Sequence, residues 1–311
     1  MRQMRAKWRD QMLLQAMALL GVGYMALFYY GPMFGVVLAF KNYKFTKGVW
    51  GSPWVGLANF RELLFDFDMP MVLTNTVCIA LLKLLICFPA PILFALLLNE
   101  VRRTRFQRLI QTASYFPHFI SWAIVALMMQ YLFTSDNSLV NAVLMKLGLI
   151  NRPTNVLSDP NAFYAVAVLS ELWKETGWSA IVFIAAIAGI DPEIYEAATV
   201  DGASQLQKIF RITLPNLTGA VSVMFMLNFA GLLSGGGGAF DQSFFLSNPL
   251  NYEKSIILGT YTLKTGIQMG RFSYATAVGL INSVVSLVLL LGCNALSKRF
   301  LGQSLYQGGD F

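Results

Sequence analysis

The chain is short of charge. Asp, Glu, Lys and Arg make up 13% of its 311 residues, against about 25% in soluble domains. With 56% hydrophobic residues and a mean hydropathy of +0.57, this excludes an ordinary water-soluble domain and points to a bilayer. Histidine occurs once, at His118, with no other His or Cys clustered near it, so a metal centre is not expected. Three cysteines, Cys78, Cys87 and Cys293, lie inside apolar runs. Their odd number argues against a disulfide framework, and they read as small buried hydrophobes. No G-x-x-x-x-G-K-[ST] phosphate cradle is present, and the run Gly235–Gly238 has no Lys-Ser/Thr behind it. G-x-S-x-G and H-E-x-x-H are missing as well, which leaves no recognisable hydrolase or zinc-protease signature. The formal charge of +7 does not indicate nucleic acid, because the basic residues sit in short clusters beside apolar runs.

Long hydrophobic runs are what the sequence does have. A bilayer core about 30 Å thick needs about 20 helical residues to cross it. Residues 11–40, 109–135 and 272–297 contain no Asp, Glu, Lys or Arg, and residues 69–99 contain only Lys83. The expected fold is therefore all-α and polytopic, a single membrane domain over residues 1–311. It has six spans, at about 12–39, 70–98, 109–133, 161–190, 214–233 and 273–297. The first run is too long for a signal-peptide core and lacks a small-residue cleavage site, so it is read as an anchor.

Lys and Arg set the expected orientation. Arg2, Arg5, Lys7 and Arg9 precede span 1, Arg102, Arg103, Arg105 and Arg108 fill the short 2–3 connection, and Lys298 and Arg299 follow span 6. These belong in the cytoplasm, which puts both termini there, along with the connection at 191–215 that carries Lys208 and Arg211. The loops on the other side are longer and carry Trp50, Trp54 and Tyr252.

The 191–215 connection is locally well specified. Asp191-Pro192-Glu193 reads as a helix start, with Asp as cap and Pro in the first turn. Ile194, Ala197 and Ala198 share a face that another surface can approach closely. Gly202 suits a left-handed helix end. Ser204 and Gln207 fit a capping box for a second helix with Leu206, Ile209 and Phe210 on its apolar side. Leu214-Pro215 is expected to end that element. On the residues alone, the insert is either a connector packed on its own protein or a docking knob for another one.

The spacing Glu196-Ala197-Ala198, Asp201-Gly202, Ile212, Leu214-Pro215 resembles the EAA loop in permease subunits of binding-protein-dependent ABC importers. Thr218 departs from the second proline that many members carry. Further stretches are similar to the carbohydrate branch, in particular oligosaccharide and polysaccharide permeases: residues 29–60, FPHFISW (116–122), LWKETGW (172–178) and AFDQSFFLSNPL (239–250). The resemblance implies a bacterial plasma-membrane permease with a six-helix core, paired with a second permease, by branch a heterodimer. It also implies two separate ATP-binding ABC ATPases, which hold the ATP and Mg, and an extracytoplasmic solute-binding protein. This chain itself would bind no cofactor and catalyse no reaction. Glu196, Ala197, Ala198, Asp201, Gly202, Ile212, Leu214 and Pro215 would form the ATPase-coupling element, and the solute would be a carbohydrate.

For the solute path, Glu171, Lys174, Glu175 and Trp178 recur at i, i+3, i+4 and i+7 on one face of span 4, with Trp173 beside them and Lys83 midway along span 2. Charges inside a membrane generally face a cavity or one another. These are either a structural ion network or a polar and aromatic wall for a sugar. Asn75, Tyr115, His118, Asn228 and Asn282 are further candidates, each equally readable as polar glue between helices. Pro89, Pro91 and Pro117 are expected to kink their helices. The glycine-rich segment 234–250 is expected to be irregular and to bring Asp241 and Gln242 towards the path. The competing readings are a self-powered secondary transporter or channel, which calls for inverted repeats, and a polytopic membrane enzyme, which calls for an acidic cluster on a loop. Neither feature is evident.

Overall fold

The computed structural model describes residues 2–101, 103–133, 138–148, 150–231 and 238–301. Arg102, Asp136 and Gly235–Gly237 lie outside the described residues, as do the side chains of Arg2, Arg5, Lys7, Arg9, Cys293, Lys298 and Arg299. The fold is all-helical. Among the described residues there is no strand, only an isolated bridge between Lys41 and Trp54. Four helices are long and apolar enough to cross a membrane, and the number reaches six if two bent pairs each count as one crossing.

The chain divides into two compact units. The first comprises residues 1–66 and 262–281. Its helix α1 (Arg2–Met25) passes through a π turn and a 3-10 segment to Phe40. The loop beyond is held by Lys41, whose ammonium donates to Val49 O (3.0 Å) and Trp50 O (3.1 Å). Glu62 pairs with Arg271, Asp66 accepts from the Tyr274 hydroxyl, and Tyr43 N donates to Ser273 Oγ at 2.9 Å.

The second unit comprises residues 67–261 and 282–311. It contains α2 (Met69–Asn99), α3 (Thr104–Phe119), α4 (Trp122–Phe133), α5 (Leu139–Lys146), α6 (Phe163–Ala188), α7 (Pro192–Val200), α8 (Gln205–Phe229) and α9 (Ala239–Leu246). Helix α6 is the central post. Ala180, Phe183 and Ile187 near its end pack with Ala95, Leu96 and Leu217. Phe163, Val166 and Ala167 near its start pack with Ile79, Ala126, Leu157 and Ile257. In lipid, where burial from water gives no drive, such contacts hold helices together by close fit. Gly177 shows how close: a Cβ there would sit 2.2 Å from Ser114 O of α3.

Three prolines are accommodated in one way. Each is preceded by a π turn closed by an i→i−5 bond from the residue just before the proline: Gly31 N to Ala26 O, Phe88 N to Lys83 O and Leu214 N to Ile209 O. Proline lacks the N–H for an i→i−4 bond, and its ring strikes the carbonyl four residues back, at a cost of about 3 kcal/mol in a regular helix. One extra residue in the turn relieves both problems. Pro89 therefore does not break α2, which runs unbroken from Met69 to Asn99. Nor does Leu214-Pro215 end the insert: α8 continues from Gln205 through the π turn Ile209–Thr213 into the membrane.

The third apolar run departs most from a straight span. It turns by 98° between α3 and α4. Pro117 lies in a 3-10 turn, Phe116–Phe119, and Ile120 is extended (ψ 127), so the backbone ladder stops there.

Candidate functional site

The insert is built from local signals. Asp191 Oδ1 accepts from Glu193 N at 2.9 Å with Pro192 in the first turn, which starts α7. The helix stops in a Schellman turn. Ala203 N bonds Ala198 O at 2.9 Å, Gly202 N bonds Thr199 O at 3.1 Å, and Gly202 takes φ +72. Ser204 N then donates to Gln207 Oε1 at 2.7 Å while Ser204 Oγ accepts from Gln207 N at 3.4 Å, the reciprocal box that starts α8. Glu196, Ala197, Val200, Asp201 and Gly202 are exposed, Val200 at 88%, and Ala198 and Ile212 are half-buried. Leu214 and Pro215 are also exposed. The expected apolar face of the second helix is split: Ile209 packs against the Phe183 cluster, whereas Leu206 and Phe210 stand exposed.

Lys83, Glu171, Lys174 and Glu175 meet on α6. Lys83 Nζ lies 3.1 Å from Glu171 Oε2, which also accepts from Gln242 Nε2 at 3.2 Å. One turn on, Lys174 Nζ donates to Glu175 Oε1 (2.8 Å) and to His118 O (2.7 Å), and Glu175 Oε2 meets His118 Nδ1 at 2.6 Å. The His118 ring stacks on Trp178 with centroids 4.3 Å apart, and Lys174 lies 5.4 Å over the Trp122 ring. The break after Pro117 makes this possible, since it turns the His118 carbonyl and ring towards α6.

Of these residues, Lys83, Glu171 and Glu175 border a cleft of about 670 Å³, counting its open mouth. Lys83, Glu171, Glu175, Thr176, Ser179 and Asn228 supply its polar lining, and Phe88 and Phe183 its aromatic lining. Carboxylates, hydroxyls and an amide beside aromatic faces can bind a polyhydroxylated solute by hydrogen bonding and stacking. Thr176 and Ser179 were not singled out from the sequence. Ser179 lies four residues past Glu175 and eight past Glu171, so the period that marks the charged face also marks Ser179.

Other candidates fall elsewhere. Asn75, 1% exposed, donates to Glu253 O (2.8 Å) and Ile256 O (3.0 Å) and accepts from the Tyr164 hydroxyl (2.7 Å), so its amide ties three segments together. Trp173 projects from α6 largely exposed, and Tyr115 is half-buried at the end of the first part of α3. Residues 239–246 are helical rather than irregular, and 247–250 form a loop and turn. Gly238, at φ +71 against the Trp122 ring, opens α9, which carries Asp241 in its first turn and buries Gln242. Gln242 Nε2 also donates to Ala167 O (3.0 Å) and Ser170 Oγ (3.1 Å), while its Oε1 has no hydrogen-bond partner.

Residues 87–302 match the family model described as "Binding-protein-dependent transport system inner membrane component". Protein LplB of Bacillus subtilis (strain 168) is 40% identical over 302 residues, 97% of this chain and 92% of its own length. The polygalacturonan/rhamnogalacturonan transport system permease protein YteP of the same organism is 39% identical over 297 residues, covering 96% of this chain and 91% of its own. A chain in the crystal structure of a bacterial ABC transporter involved in import of the acidic polysaccharide alginate superposes with a TM-score of 0.87 at 36% identity, covering 96% of this chain and 99% of its own.

Proposed function

The chain belongs to the family of binding-protein-dependent transport system inner membrane components, and we propose that it is the permease subunit of an ATP-driven carbohydrate importer. Similarity along nearly the whole chain to YteP and to a chain of the alginate transporter supports a carbohydrate solute, an oligosaccharide or a polysaccharide fragment. The cleft along α6 is the part of the path this chain would supply. A second permease, by branch a different chain, would supply the rest. A solute-binding protein on the outer face would deliver the sugar, and the chain would lie in a bacterial plasma membrane with both termini in the cytoplasm.

The observation that carries this reading is the insert: two capped helices meeting at Gly202, with Glu196, Ala197, Val200 and Asp201 exposed. Such a body can seat in a groove of a separate ATPase, where ATP and Mg are held, and follow its closure as a rigid-body movement. A carboxylate at Glu196, free of any partner among the described residues, suits a basic residue in that groove. The chain itself would carry out no hydrolysis.

Affinity purification of the tagged full-length chain from its native membrane tests this. An ABC ATPase and a second permease are expected to co-purify in stable ratio, and sugar-loaded binding protein is expected to raise ATP hydrolysis by the reconstituted complex. A chain that purifies alone and transports a polar solute on an ion gradient overturns the reading.

A further inference from the structure

Gly202 gives the insert a bend between α7 and α8, and a bend is where a push would be lost. A closed ring of hydrogen bonds spans it. The Tyr195 hydroxyl lies 2.9 Å from Thr213 Oγ1, and Thr213 Oγ1 lies 3.4 Å from Lys208 O. Lys208 Nζ lies 2.7 Å from Thr199 Oγ1, and Thr199 Oγ1 lies 2.7 Å from Tyr195 O. A hydroxyl has one proton: either oxygen of the Tyr195–Thr213 pair can donate, and with the Thr213 proton on the Lys208 carbonyl, which only accepts, Thr213 accepts from Tyr195. By the same argument Thr199 donates to Tyr195 O and accepts from the Lys208 ammonium. Tyr195 and Lys208 therefore each give a side chain to one corner of the ring and a carbonyl to the other. Chains of donors that are also acceptors reinforce one another.

The two halves of the ring are unequal. The Lys208–Thr199 bond is exposed and competes with water, whereas Thr213 is 2% exposed. Thr213 is also the last residue of the π turn Ile209–Thr213, directly ahead of the membrane part of α8. The tyrosine thus bypasses the glycine bend and reaches the base of the long helix.

We propose that Tyr195 is a positioning residue. Its hydroxyl, through Thr213, locks α7 to the π turn, so that a displacement of the insert moves the membrane part of α8 with it. This rests on the coupling role proposed above and names the link that passes the movement inward. Neither Tyr195 nor Thr213 is among the residues that carry the EAA resemblance.

The test uses the complete complex in lipid nanodiscs, with hydrogen exchange followed in this chain before and after trapping the ATPases with ATP, Mg and vanadate. In the wild type, segments 192–201 and 214–226 are expected to change protection together. In Tyr195→Phe and, separately, Thr213→Val, ATP hydrolysis is expected to stay within about twofold and segment 192–201 to respond as before, while the response of 214–226 falls roughly fivefold. An undiminished response of 214–226 in Tyr195→Phe overturns the proposal. So does loss of the 192–201 response in that variant, because the tyrosine would then serve engagement rather than transmission. If 192–201 fails to respond even in the wild type, the coupling reading itself fails, and this is a different signature from either.

Discussion

Lys83 of α2 and Glu171 of α6 form an ion pair at 3.1 Å, with 8% and 7% of their surfaces exposed. The π turn before Pro89 begins at Lys83, and Gln242 of α9 donates to the same carboxylate oxygen, so three helices meet at one acceptor. A buried charge that loses its partner costs roughly 3–5 kcal/mol, whereas removing both charges together can be nearly neutral. Lys83→Met alone is expected to lower the thermal midpoint of the detergent-purified complex sharply. Adding Glu171→Gln, which keeps an acceptor for Gln242, is expected to restore most of the loss. A double variant as unstable as the sum of the two single variants would show that the two groups do not act as a pair.

Close approach between α3 and α6 makes a second prediction. At Gly177 any side chain must enter the space of the Ser114 carbonyl, which belongs to backbone and cannot swing aside. Gly177→Ala is expected to cost about 1–3 kcal/mol or more through forced separation of the helices. Because Ser114 lies just before the His118 turn, the variant is also expected to disturb the His118–Glu175 contact. Thermal unfolding and folded yield in the membrane fraction would report the first effect, and histidine NMR shifts the second.

What the sequence made legible was local. Asp191, Gly202 and Ser204 announce their caps because each acts on a backbone group within five residues. The face carrying Glu171, Lys174, Glu175 and Trp178 follows from helical period alone. Which lysine meets which glutamate did not, since Lys83 and Glu171 are 88 residues apart and only the packing of α2 on α6 decides it. Sequence alone makes Pro89 a kink and Leu214-Pro215 a helix end, yet a π turn absorbs each proline, while the break at Ile120 follows a 3-10 turn holding Pro117. A glycine run suggested irregular backbone, but the stretch after Gly238 is helical because Gln242 and Ser243 find buried surroundings there.

Two asparagines that read alike in the sequence are expected to behave differently. Asn75 is fully engaged and buried, so Asn75→Ala leaves the carbonyls of Glu253 and Ile256 and the Tyr164 hydroxyl without their partner, at roughly 1–3 kcal/mol. Asn228 borders the cleft, is exposed, and donates to Met224 O of its own helix at 2.9 Å. Asn228→Ala is expected to leave the thermal midpoint within a degree or two, roughly 0.5 kcal/mol, while weakening uptake of the sugar the wild-type complex carries. Equal stability losses in the two variants would remove the distinction between glue and lining.

The insert supplies the last prediction, in which charge and geometry are separated. Glu196→Lys reverses a charge on the exposed face of α7 without touching a cap, so the protein is expected to reach the membrane and keep its thermal midpoint. Binding-protein-stimulated ATP hydrolysis is expected to fall by roughly 2–5 kcal/mol worth of docking, which abolishes measurable uptake. Gly202→Val acts on shape instead. A β-branched residue at φ +72 is strained by about 1–2 kcal/mol, and relief of that strain unwinds the Schellman turn and changes the angle between the two insert helices. Gly202→Asn is the control, because Asn tolerates the left-handed region, and it is expected to retain most of the activity. If Glu196→Lys stimulates ATP hydrolysis like the wild type, the exposed face of α7 does not meet the motor. If Gly202→Asn fails as badly as Gly202→Val, the glycine is needed for close contact at its bare Cα rather than for its backbone angle.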